Sequence, residues 1–279
     1  MPGAEASAGT FGARRPQLRN LARHLRLAVD LAARDIRDRY AGTSVGLLWL
    51  LVTPSVYLAM YWLVFGQMLR VGWPPAAQEP PPGFLLPFFA GLVIYLFTVD
   101  LVISSADLFQ RRRDYVRRAP FPLWVLWLAN LLRTAAPAAA GLTLLLALAL
   151  VQGRLGVAGL AWLALALGTS LFFLAALSLC LALLGAFLGD LQEALRLVAR
   201  ALFYAAPIAY PLSLVPGWAQ PAMWLNPLTH MAEMVRRAVV FDRGPEPLPF
   251  LCFVVAIVLC TSLALFLYRR VAGAVADVV

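Results

Sequence analysis

The chain has 279 residues, of which 62% are hydrophobic and 13% are charged, and its mean hydropathy is +0.80. Soluble domains carry about 25% charged residues, so the composition excludes a soluble globular protein and predicts an all-α integral membrane protein. The net charge is +9, and every basic residue is an arginine. A P-loop needs a lysine to reach the nucleotide phosphates, so the sequence also excludes a P-loop ATPase.

The N-terminal part of the chain predicts a flexible tail over residues 1–17 and an amphipathic interfacial helix over residues 18–44. At about 100° per residue, the apolar side chains of this helix fall on one arc and the arginines on a neighbouring face. The apolar row consists of Leu18, Leu21, Leu25, Val29, Ala32, Ile36 and Tyr40. A surface helix on a soluble domain has the same split, but the apolar chain that follows favours a helix in a membrane interface.

Apolar stretches in residues 45–270 predict a domain of six transmembrane helices, because each stretch is long enough to cross about 30 Å of hydrocarbon. They cover residues 46–68, 84–108, 123–151, 157–188, 194–214 and 250–268. A basic loop over residues 109–120 joins the second and third stretches. Residues 215–241 are interrupted by proline and glycine, which predicts a re-entrant outer hairpin, and residues 271–279 form a C-terminal tail.

The arginines predict the orientation of the chain in the membrane. Eight precede the first span, five lie in the loop 109–120 and two follow the last span, whereas the loops of opposite parity hold Arg70 and Arg154. The positive-inside rule therefore places both termini in the cytoplasm. Three arginines in and after the outer hairpin run against the rule, but acidic residues lie near them and longer external loops tolerate charge.

The sequence contains no recognisable catalytic or metal-binding motif. The two histidines, His24 and His230, lie on opposite sides of the membrane in this topology. No serine, histidine and aspartate occur at the spacing of a triad or a metal site. We therefore expect no catalytic residue and no metal site. Transport is favoured over an integral-membrane enzyme that acts on glycans or lipids.

Short motifs spread over about residues 20–270 carry a family resemblance. They are LAARDIRDRY at 31–40, SVGLLW at 44–49 with Pro54, RAPFPL at 118–123, GDL at 189–191, PIAYP at 207–211 and WLNPL at 224–228 with His230 and Arg236. In this order and spacing they resemble the permeases of type-2 ABC exporters. More narrowly, they are similar to the subfamily that exports bacterial polysaccharides (O-antigen, capsule and teichoic acid). The proline-rich first external loop and the missing lysines depart from that pattern.

The resemblance implies a multi-pass permease of the bacterial inner membrane that works as a homodimer with two copies of a cytoplasmic ABC ATPase. Its substrate would be a lipid-linked polysaccharide, and the ATPase would bind ATP and magnesium, with no cofactor in this chain. A type-2 permease for a drug or other small amphiphile is the alternative. The residues expected to face the ATPase are Arg34, Arg37, Arg39, Tyr40, Arg111, Arg112, Arg113, Asp114, Arg117 and Arg118. A basic loop that contacts only lipid headgroups would have the same composition.

Aromatic side chains on the first and fifth predicted spans are candidates for the substrate path. They are Trp49, Tyr57, Tyr61, Trp62, Phe65, Phe203, Tyr204 and Tyr210. Sugar rings stack on aromatic faces through their C–H groups, so an aromatic path can pass many different glycans. Packing within the membrane and interfacial aromatic belts account for the same residues without a channel.

Asp100 and Arg133 are charged residues inside predicted spans. At about 1.5 Å per residue, both lie about 12–15 Å from the cytoplasmic ends of the second and third spans. Charges within a membrane must pair or face water, so we predict an ion pair between them. The alternatives are an arginine that extends to the interface and an aspartate that faces a wet cavity.

The outer hairpin is predicted to form the external gate. Its candidate residues are Trp218, Trp224, Asn226, His230, Glu233, Arg236 and Arg237. Glu233 and Arg237 lie four residues apart on a predicted helix and are expected to pair. Arg236 or Arg237 would then be available to contact a phosphate on an exported lipid.

Overall fold

The computed structural model describes residues 14–73, 83–118 and 122–279. Helices and the turns between them make up these ranges, and none of the described residues lies in a strand. In chain order the α-helices are α1 (Arg14–Tyr40), α2 (Trp49–Tyr61), α3 (Leu85–Ala106), α4 (Leu108–Arg111), α5 (Arg113–Arg118), α6 (Leu123–Val151), α7 (Val157–Gly185), α8 (Leu191–Ala205), α9 (Gln220–Trp224), α10 (Pro227–Phe241), α11 (Pro247–Val271) and α12 (Val275–Val278). Other helical turns are the 3₁₀ turns Gly46–Leu48 and Leu212–Leu214 and the π-helical stretch Trp62–Met68.

Within the described ranges, five segments are long and apolar enough to cross a membrane: Gly46–Met68, Leu85–Ala106, Leu123–Val151, Val157–Gly185 and Pro247–Val271. The prediction of an all-helical, multi-pass membrane protein is therefore confirmed. The fifth predicted span, residues 194–214, is different. There α8 has 15 residues, and the chain leaves helical geometry at Ala206, just before Pro207. A crossing by this stretch, and with it the count of six spans, stays a prediction.

Contacts at the two ends of α7 show which parts of the chain share an end of the bundle. At its C-terminal end, Gln110 Nε2 donates a hydrogen bond of 2.8 Å to the carbonyl oxygen of Gly185. A Cβ at Gly185 would lie 1.7 Å from the carbonyl oxygen of Ala106, so glycine is needed for α3 and α7 to meet. At its N-terminal end, the amide of Gly159 donates to the carboxylate of Asp242. The chain therefore runs from one end of the bundle to the other between Gly185 and Asp242.

The central helix is α3, which contacts α6, α7, α8 and α10. Apolar side chains surround it on all sides, as expected for a helix that is buried within a bundle. Its largest fully buried side chains are Leu86, Phe88, Phe89, Leu92 and Leu101. By contrast, the spans that contain α2 and α11 keep most of their apolar surface exposed, where lipid or another protein would cover it.

The amphipathic helix α1 begins at Arg14 and packs against α6. The side chains of Ala28, Leu31 and Ala32 are buried there, in an apolar cluster with the first turns of α6. Much of the predicted apolar row stays exposed, at Leu21, Leu25 and Val29. The helix therefore has one face that docks on the bundle and, beside it, an apolar face of the kind that enters a membrane interface.

The two remaining predicted segments are also helical in part. In the C-terminal tail, Val275 and Val279 share an apolar cluster with Val116 of α5, so the tail lies at the same end of the bundle as the loop 109–120. In the predicted outer hairpin, α9 is followed by α10, which packs on α3 and α7. Asn226 caps α10, because its side chain accepts a hydrogen bond from the amide of Leu228. Re-entry of this hairpin into a membrane stays a prediction.

Candidate transport path and coupling surface

Two ion pairs fix the loop between α3 and α6. Arg111 Nε lies 2.8 Å from Asp107 Oδ2, and its Nη2 donates a hydrogen bond of 2.8 Å to the carbonyl oxygen of Ser104. Arg112 pairs with Asp35 of α1, although the two residues are 77 positions apart. The interfacial helix and this loop, which the sequence predicts separately, are therefore joined as one unit.

The predicted ATPase-facing residues divide according to their exposure. The exposed ones are Arg34, Arg37, Arg39, Arg111, Arg113, Asp114 and Arg117, whereas Tyr40 and Arg112 are half-buried. Arg39 and Tyr40 also line a groove that extends into the bundle. Arg118 is the last described residue before residues 119–121, so the motif RAPFPL lies partly outside the described residues.

Asp100 lies between two arginines. Its Oδ2 accepts a hydrogen bond of 3.2 Å from Arg39 Nη1, and its Oδ1 lies 3.9 Å from Arg133 Nη2. Arg133 also donates to Asn130 Oδ1 over 3.2 Å. The structure therefore brings together the predicted partners, Asp100 and Arg133, and adds Arg39, which sequence reasoning did not include. Arg39 and Asp100 are 61 residues apart, so no local pattern could have revealed that contact.

Two cavities adjoin at Arg39. A polar cavity of about 480 Å³ lies at the end of the bundle, with the charged lining residues Asp35, Asp38, Arg39, Arg111, Arg112 and Arg133. A second cavity, the lateral groove, has a volume of about 510 Å³ and extends between α2, α3 and α6. Its lining includes Arg39 and Asp100 at one end and apolar and aromatic side chains such as Leu96 and Phe97. The arrangement offers a charged compartment and an apolar one, side by side.

Part of the predicted aromatic path lines this groove or lies exposed. Trp49 and Tyr57 line the lateral groove. The side chains of Trp62 and Tyr204 are exposed, and Tyr204 is 71% accessible. Tyr210 is half-buried, and its hydroxyl donates a hydrogen bond of 2.5 Å to the carbonyl oxygen of Tyr204. These residues are available to a substrate, although only Trp49 and Tyr57 share a cavity within the described part of the chain.

The other predicted aromatic residues pack against one another. The ring centroid of Tyr61 lies 6.0 Å from that of Phe65 and 5.2 Å from that of Phe203. Phe203 also meets Tyr95 of α3 at 5.1 Å, with the rings nearly perpendicular. Such contacts contribute about 0.5–1.5 kcal/mol per pair beyond simple burial. Packing between α2, α3 and α8 therefore accounts for Tyr61, Phe65 and Phe203.

Four predicted gate residues line a cavity of about 180 Å³ at the end of the bundle that contains Asp242; they are Trp224, His230, Glu233 and Arg237. His230 Nε2 lies 2.6 Å from the carbonyl oxygen of Trp224, so this nitrogen carries the proton. Asn226 Nδ2 donates to the carbonyl oxygen of Ala205 over 3.2 Å and ties the hairpin to α8. Trp218 is 86% exposed.

Arg236 is buried, with 1% of its side chain accessible. Its Nε donates to the carbonyl oxygen of Pro87 over 3.0 Å, and its Nη2 to that of Pro207 over 2.8 Å. The guanidinium also pairs with Glu233 and lies 4.9 Å from the ring centroid of Trp73. Arg236 therefore joins α10 to the start of α3 and to the extended chain after α8, and it is not open to a substrate.

The predicted pair between Glu233 and Arg237 is wrong. Glu233 pairs with Arg236, whereas Arg237 Nη1 lies 2.5 Å from Glu246 Oε1 and its Nε donates to the carbonyl oxygen of Gly244 over 2.9 Å. The reason is the end of α10, where Asp242 adopts a left-handed conformation with φ of 51°. This turn brings residues 243–246 back beside Arg237, so a tertiary partner replaces the local one.

Two further arginines, Arg196 and Arg200, lie on α8 and are exposed. Arg196 pairs with Glu193 one turn away. These two arginines are absent from the residues predicted for a site, although the sequence contains the signal for them. Two charges at four-residue spacing inside a stretch that is expected to cross a membrane indicate a functional face.

Comparison with known proteins agrees with this architecture. Residues 29–240, about three quarters of the chain, match the profile of the ABC-2 type transporter family. The chain is 25% identical over 257 residues to the O-antigen export system permease protein RfbA of Myxococcus xanthus, which covers 91% of this chain and 96% of that protein. It is 24% identical over 209 residues to RfbA of Klebsiella pneumoniae, with 74% and 76% covered. It is also 25% identical over 246 residues to the polysialic acid transport protein KpsM of Escherichia coli, with 86% and 92% covered. The chain is a transport permease and belongs to the ABC-2 type transporter family of membrane proteins.

Proposed function

We propose that this chain is the membrane-spanning subunit of an ATP-driven exporter that moves a lipid-linked polysaccharide across the bacterial inner membrane. The similarity over nearly the full length to polysaccharide permeases carries this proposal. It covers 96% of the Myxococcus xanthus O-antigen permease and 92% of the polysialic acid transport protein. Similarity over so much of each protein supports a common function as well as a common fold.

The arrangement of the two cavities supports an amphiphilic substrate. A charged headgroup would lie in the polar cavity of about 480 Å³, where arginines outnumber aspartates. A hydrocarbon chain would lie in the lateral groove of about 510 Å³, whose lining is mostly apolar. Because Arg39 lines both cavities, the polar and apolar parts of one lipid could occupy them together.

The proposed exporter contains two copies of this chain and two copies of a separate ABC ATPase, which binds ATP and magnesium. Both termini lie in the cytoplasm, which agrees with the eight arginines before the first span and the two after the last. The end of the bundle that contains Gly185 and the loop 109–120 is then cytoplasmic. Five of the charged residues exposed there provide a surface for the ATPase: Arg34, Arg37, Arg113, Asp114 and Arg117.

A permease for a drug or another small amphiphile is the second candidate. The volume of the lateral groove favours it, because about 510 Å³ lies within the range of about 300–1,000 Å³ that small-molecule sites occupy. The two candidates differ in the substrate that must stimulate ATP hydrolysis. A polysaccharide exporter responds to a lipid-linked glycan, whereas a drug permease responds to small amphiphiles alone.

The proposal is tested with the chain purified together with its ABC ATPase and reconstituted in proteoliposomes. We expect ATP hydrolysis by the complex and none by this chain alone, since it has no lysine for a P-loop. Extracted lipid-linked glycan should stimulate hydrolysis, and small amphiphilic drugs should not. In cells, deletion of the chain should remove the glycan from the surface and leave lipid-linked glycan accumulated inside.

Two outcomes would contradict the proposal. One is ATP hydrolysis by the purified chain without a partner. The other is a normal amount of surface glycan in the deletion strain together with a complex that responds only to small amphiphiles, which would favour the second candidate.

A further inference from the structure

The helix α8 has three faces of different chemistry. At about 100° per residue, one face contains Ala199 and Phe203, which are buried in the bundle. A second face is polar and consists of Glu193, Arg196, Arg200 and Tyr204. The third face is apolar but exposed, and it consists of Ala194, Leu197, Val198, Ala201 and Ala205. A helix that only packed between protein and lipid would need no polar face, so the second face has another neighbour.

The polar face reaches the middle of the bundle. The hydroxyl of Tyr95 in α3 donates a hydrogen bond of 3.1 Å to the carbonyl oxygen of Ala199, so Arg200 lies close to the level of Tyr95. Tyr95 is 11 residues from Ala106, which corresponds to about 16 Å along the helix. The hydrocarbon core of a bilayer is about 30 Å thick, so a membrane boundary at Ala106 puts Arg200 near the centre of the core.

A charged guanidinium at that depth cannot face hydrocarbon without a large cost. An arginine side chain spans about 6–7 Å, so it does not reach an interface that is about 15 Å away. Among the described residues, Arg200 has no carboxylate within ion-pair distance, whereas Arg196 pairs with Glu193. The face must therefore meet water or a partner that is not part of this chain.

The charges on the face indicate the nature of that partner. Arg196 and Arg200 are four residues apart, and like charges at this spacing destabilise a helix. Glu193 neutralises one of them, and a net positive charge remains on the polar face. An anion near Arg200 would remove both the repulsion and the unpaired charge. Arginine forms bidentate, charge-assisted hydrogen bonds with phosphate in particular.

We propose that the polar face of α8 lines a hydrated path through the membrane and that Arg196 and Arg200 bind the phosphate group of the exported lipid-linked glycan. The proposal rests on the proposed function, because the phosphate is that of its substrate. Tyr204 lies one turn beyond Arg200 on the same face and is 71% exposed, so it offers an aromatic surface to a sugar ring next to the phosphate.

The first test asks whether the face is hydrated. Cysteine is introduced by Arg200→Cys or, as the matched control on the apolar exposed face, by Val198→Cys, after replacement of the native Cys180, Cys252 and Cys260 by serine. Both variants are expressed with the ATPase and treated in membrane vesicles with an anionic, water-soluble methanethiosulfonate. Only a thiolate in water reacts, so we expect the cysteine at position 200 to react about tenfold faster or more. A cysteine at position 200 that reacts as slowly as the cysteine at position 198 would show a dry face and overturn the proposal.

The second test asks whether the arginines recognise phosphate. The probes are undecaprenyl diphosphate and undecaprenol, each in proteoliposomes with the complete transporter, and the measurement is stimulation of ATP hydrolysis. We expect Arg200→Gln to raise the half-maximal concentration of the diphosphate about tenfold or more, as expected for the loss of a charge-assisted hydrogen bond. Arg200→Lys should retain most of the response. Arg269→Gln removes an exposed arginine at the end of α11 and serves as the control, with no change expected.

The outcomes separate this inference from the proposed function. If the wild-type complex responds to the diphosphate and Arg200→Gln responds equally well, the phosphate site is wrong and the proposed function stands. If the wild-type complex responds to extracted lipid-linked glycan but not to the diphosphate, the phosphate site is wrong and the proposed function stands; if it responds to neither, both are wrong. If Arg200→Gln dissociates the permease dimer, measured by mass in solution, the arginine pairs with a carboxylate of a second copy, and the phosphate site is again wrong.

Discussion

Replacement of Arg236 by methionine tests the most deeply buried charge in the described part of the chain. The guanidinium donates to the carbonyl oxygens of Pro87 and Pro207 over 3.0 and 2.8 Å, pairs with Glu233 and lies 4.9 Å from the ring centroid of Trp73. Methionine fills a similar volume but supplies none of these interactions, so the substitution removes the polar contacts and keeps most of the packing.

The expected loss can be estimated from these contacts. Each hydrogen bond from a charged donor contributes about 1.5–3 kcal/mol, and the cation–π contact contributes about 0.5–2 kcal/mol. Glu233 is left without its partner, and an unpaired carboxylate that is 19% accessible adds to the cost. Burial of the apolar methionine side chain offsets a part of this loss of stability. We expect Arg236→Met to lower the free energy of unfolding by about 4–6 kcal/mol, which is near the upper limit for single substitutions.

The assay is unfolding of the purified protein in mixed detergent and SDS micelles, followed by circular dichroism. The matched control is the neighbouring substitution Arg237→Met, because Arg237 also forms an ion pair but a more exposed one. The side chain of Arg237 is 30% accessible, and that of its partner Glu246 is 53% accessible. We expect that control to cost about 1 kcal/mol. The double variant Arg236→Met/Glu233→Leu should lose less than Arg236→Met alone, because no unpaired carboxylate remains. Equal effects at positions 236 and 237, or a double variant that is worse than the single one, would refute the reasoning.

Three further predictions concern the opposite end of the bundle. Asp100→Asn should lower the melting temperature by about 3–6 °C, which corresponds to about 1–2 kcal/mol for a partly exposed pair. Because Arg39 also contacts Asp100, the swap Asp100→Arg/Arg133→Asp is compared with Asp100→Arg alone and should be the more stable of the two; a swap no better than Asp100→Arg would contradict the pair with Arg133. Gly185→Leu should give almost no folded protein in fluorescence-detected gel filtration, because a Cβ at this position would already lie 1.7 Å from the carbonyl oxygen of Ala106 in α3. A normal yield of folded protein would argue against that contact. Arg112→Glu breaks the ion pair between α1 and the loop and should reduce co-purification of the ATPase, and the additional change Asp35→Arg should restore it. Unchanged co-purification in Arg112→Glu would show that this ion pair has no part in holding the surface that binds the ATPase.

The spans were predictable from the sequence wherever the length of an apolar stretch is enough to identify a membrane helix. α3, α6, α7 and α11 are long apolar helices with few charges, and their limits agree with the predicted spans to within a few residues. The stretch 194–214 is also largely apolar, but it contains Arg196 and Arg200 and is interrupted by Pro207 and Pro211. Proline removes a backbone donor and clashes with the preceding turn, so the helix ends at Ala205. Hydrophobicity predicted a membrane segment there, and the prolines determined where its helix stops.

The ion pairs show the limit of local reasoning. Spacing predicted a pair between Glu233 and Arg237, because residues four apart lie on one face of a helix. The structure pairs Glu233 with Arg236, since Arg237 finds Glu246 after the chain turns at Asp242. The turn depends on the left-handed conformation of Asp242, and the spacing of residues along a helix does not predict which side chains such a turn brings together. Asp100 and Arg133 could be matched because their depths in consecutive spans agree, but the other partners contributed by distant elements were beyond the reach of the sequence pattern.

The helix α1 connects the loop between α3 and α6 to the lateral groove. Asp35 reaches Arg112 in the loop, and one turn later Arg39 reaches Asp100 in α3. Since α1 is continuous between these positions, a displacement of the loop by about 2 Å would move Arg39 by a similar distance. The hydrogen bond of 3.2 Å to Asp100 would then exceed 5 Å and break, because hydrogen bonds weaken steeply beyond about 3.5 Å.

Asp100 would not be left unpaired by such a movement, because Arg133 already lies 3.9 Å from its other carboxylate oxygen. A carboxylate with two alternative partners can release one without the full cost of a buried, uncompensated charge. Under the proposed function, this arrangement allows a movement of the ATPase to open the groove toward the polar cavity at low cost. A cross-link between α1 and α3 that holds Arg39 against Asp100 should therefore stop export while ATP hydrolysis by the partner continues. Unchanged export in the cross-linked transporter would show that Arg39 has no part in opening the groove.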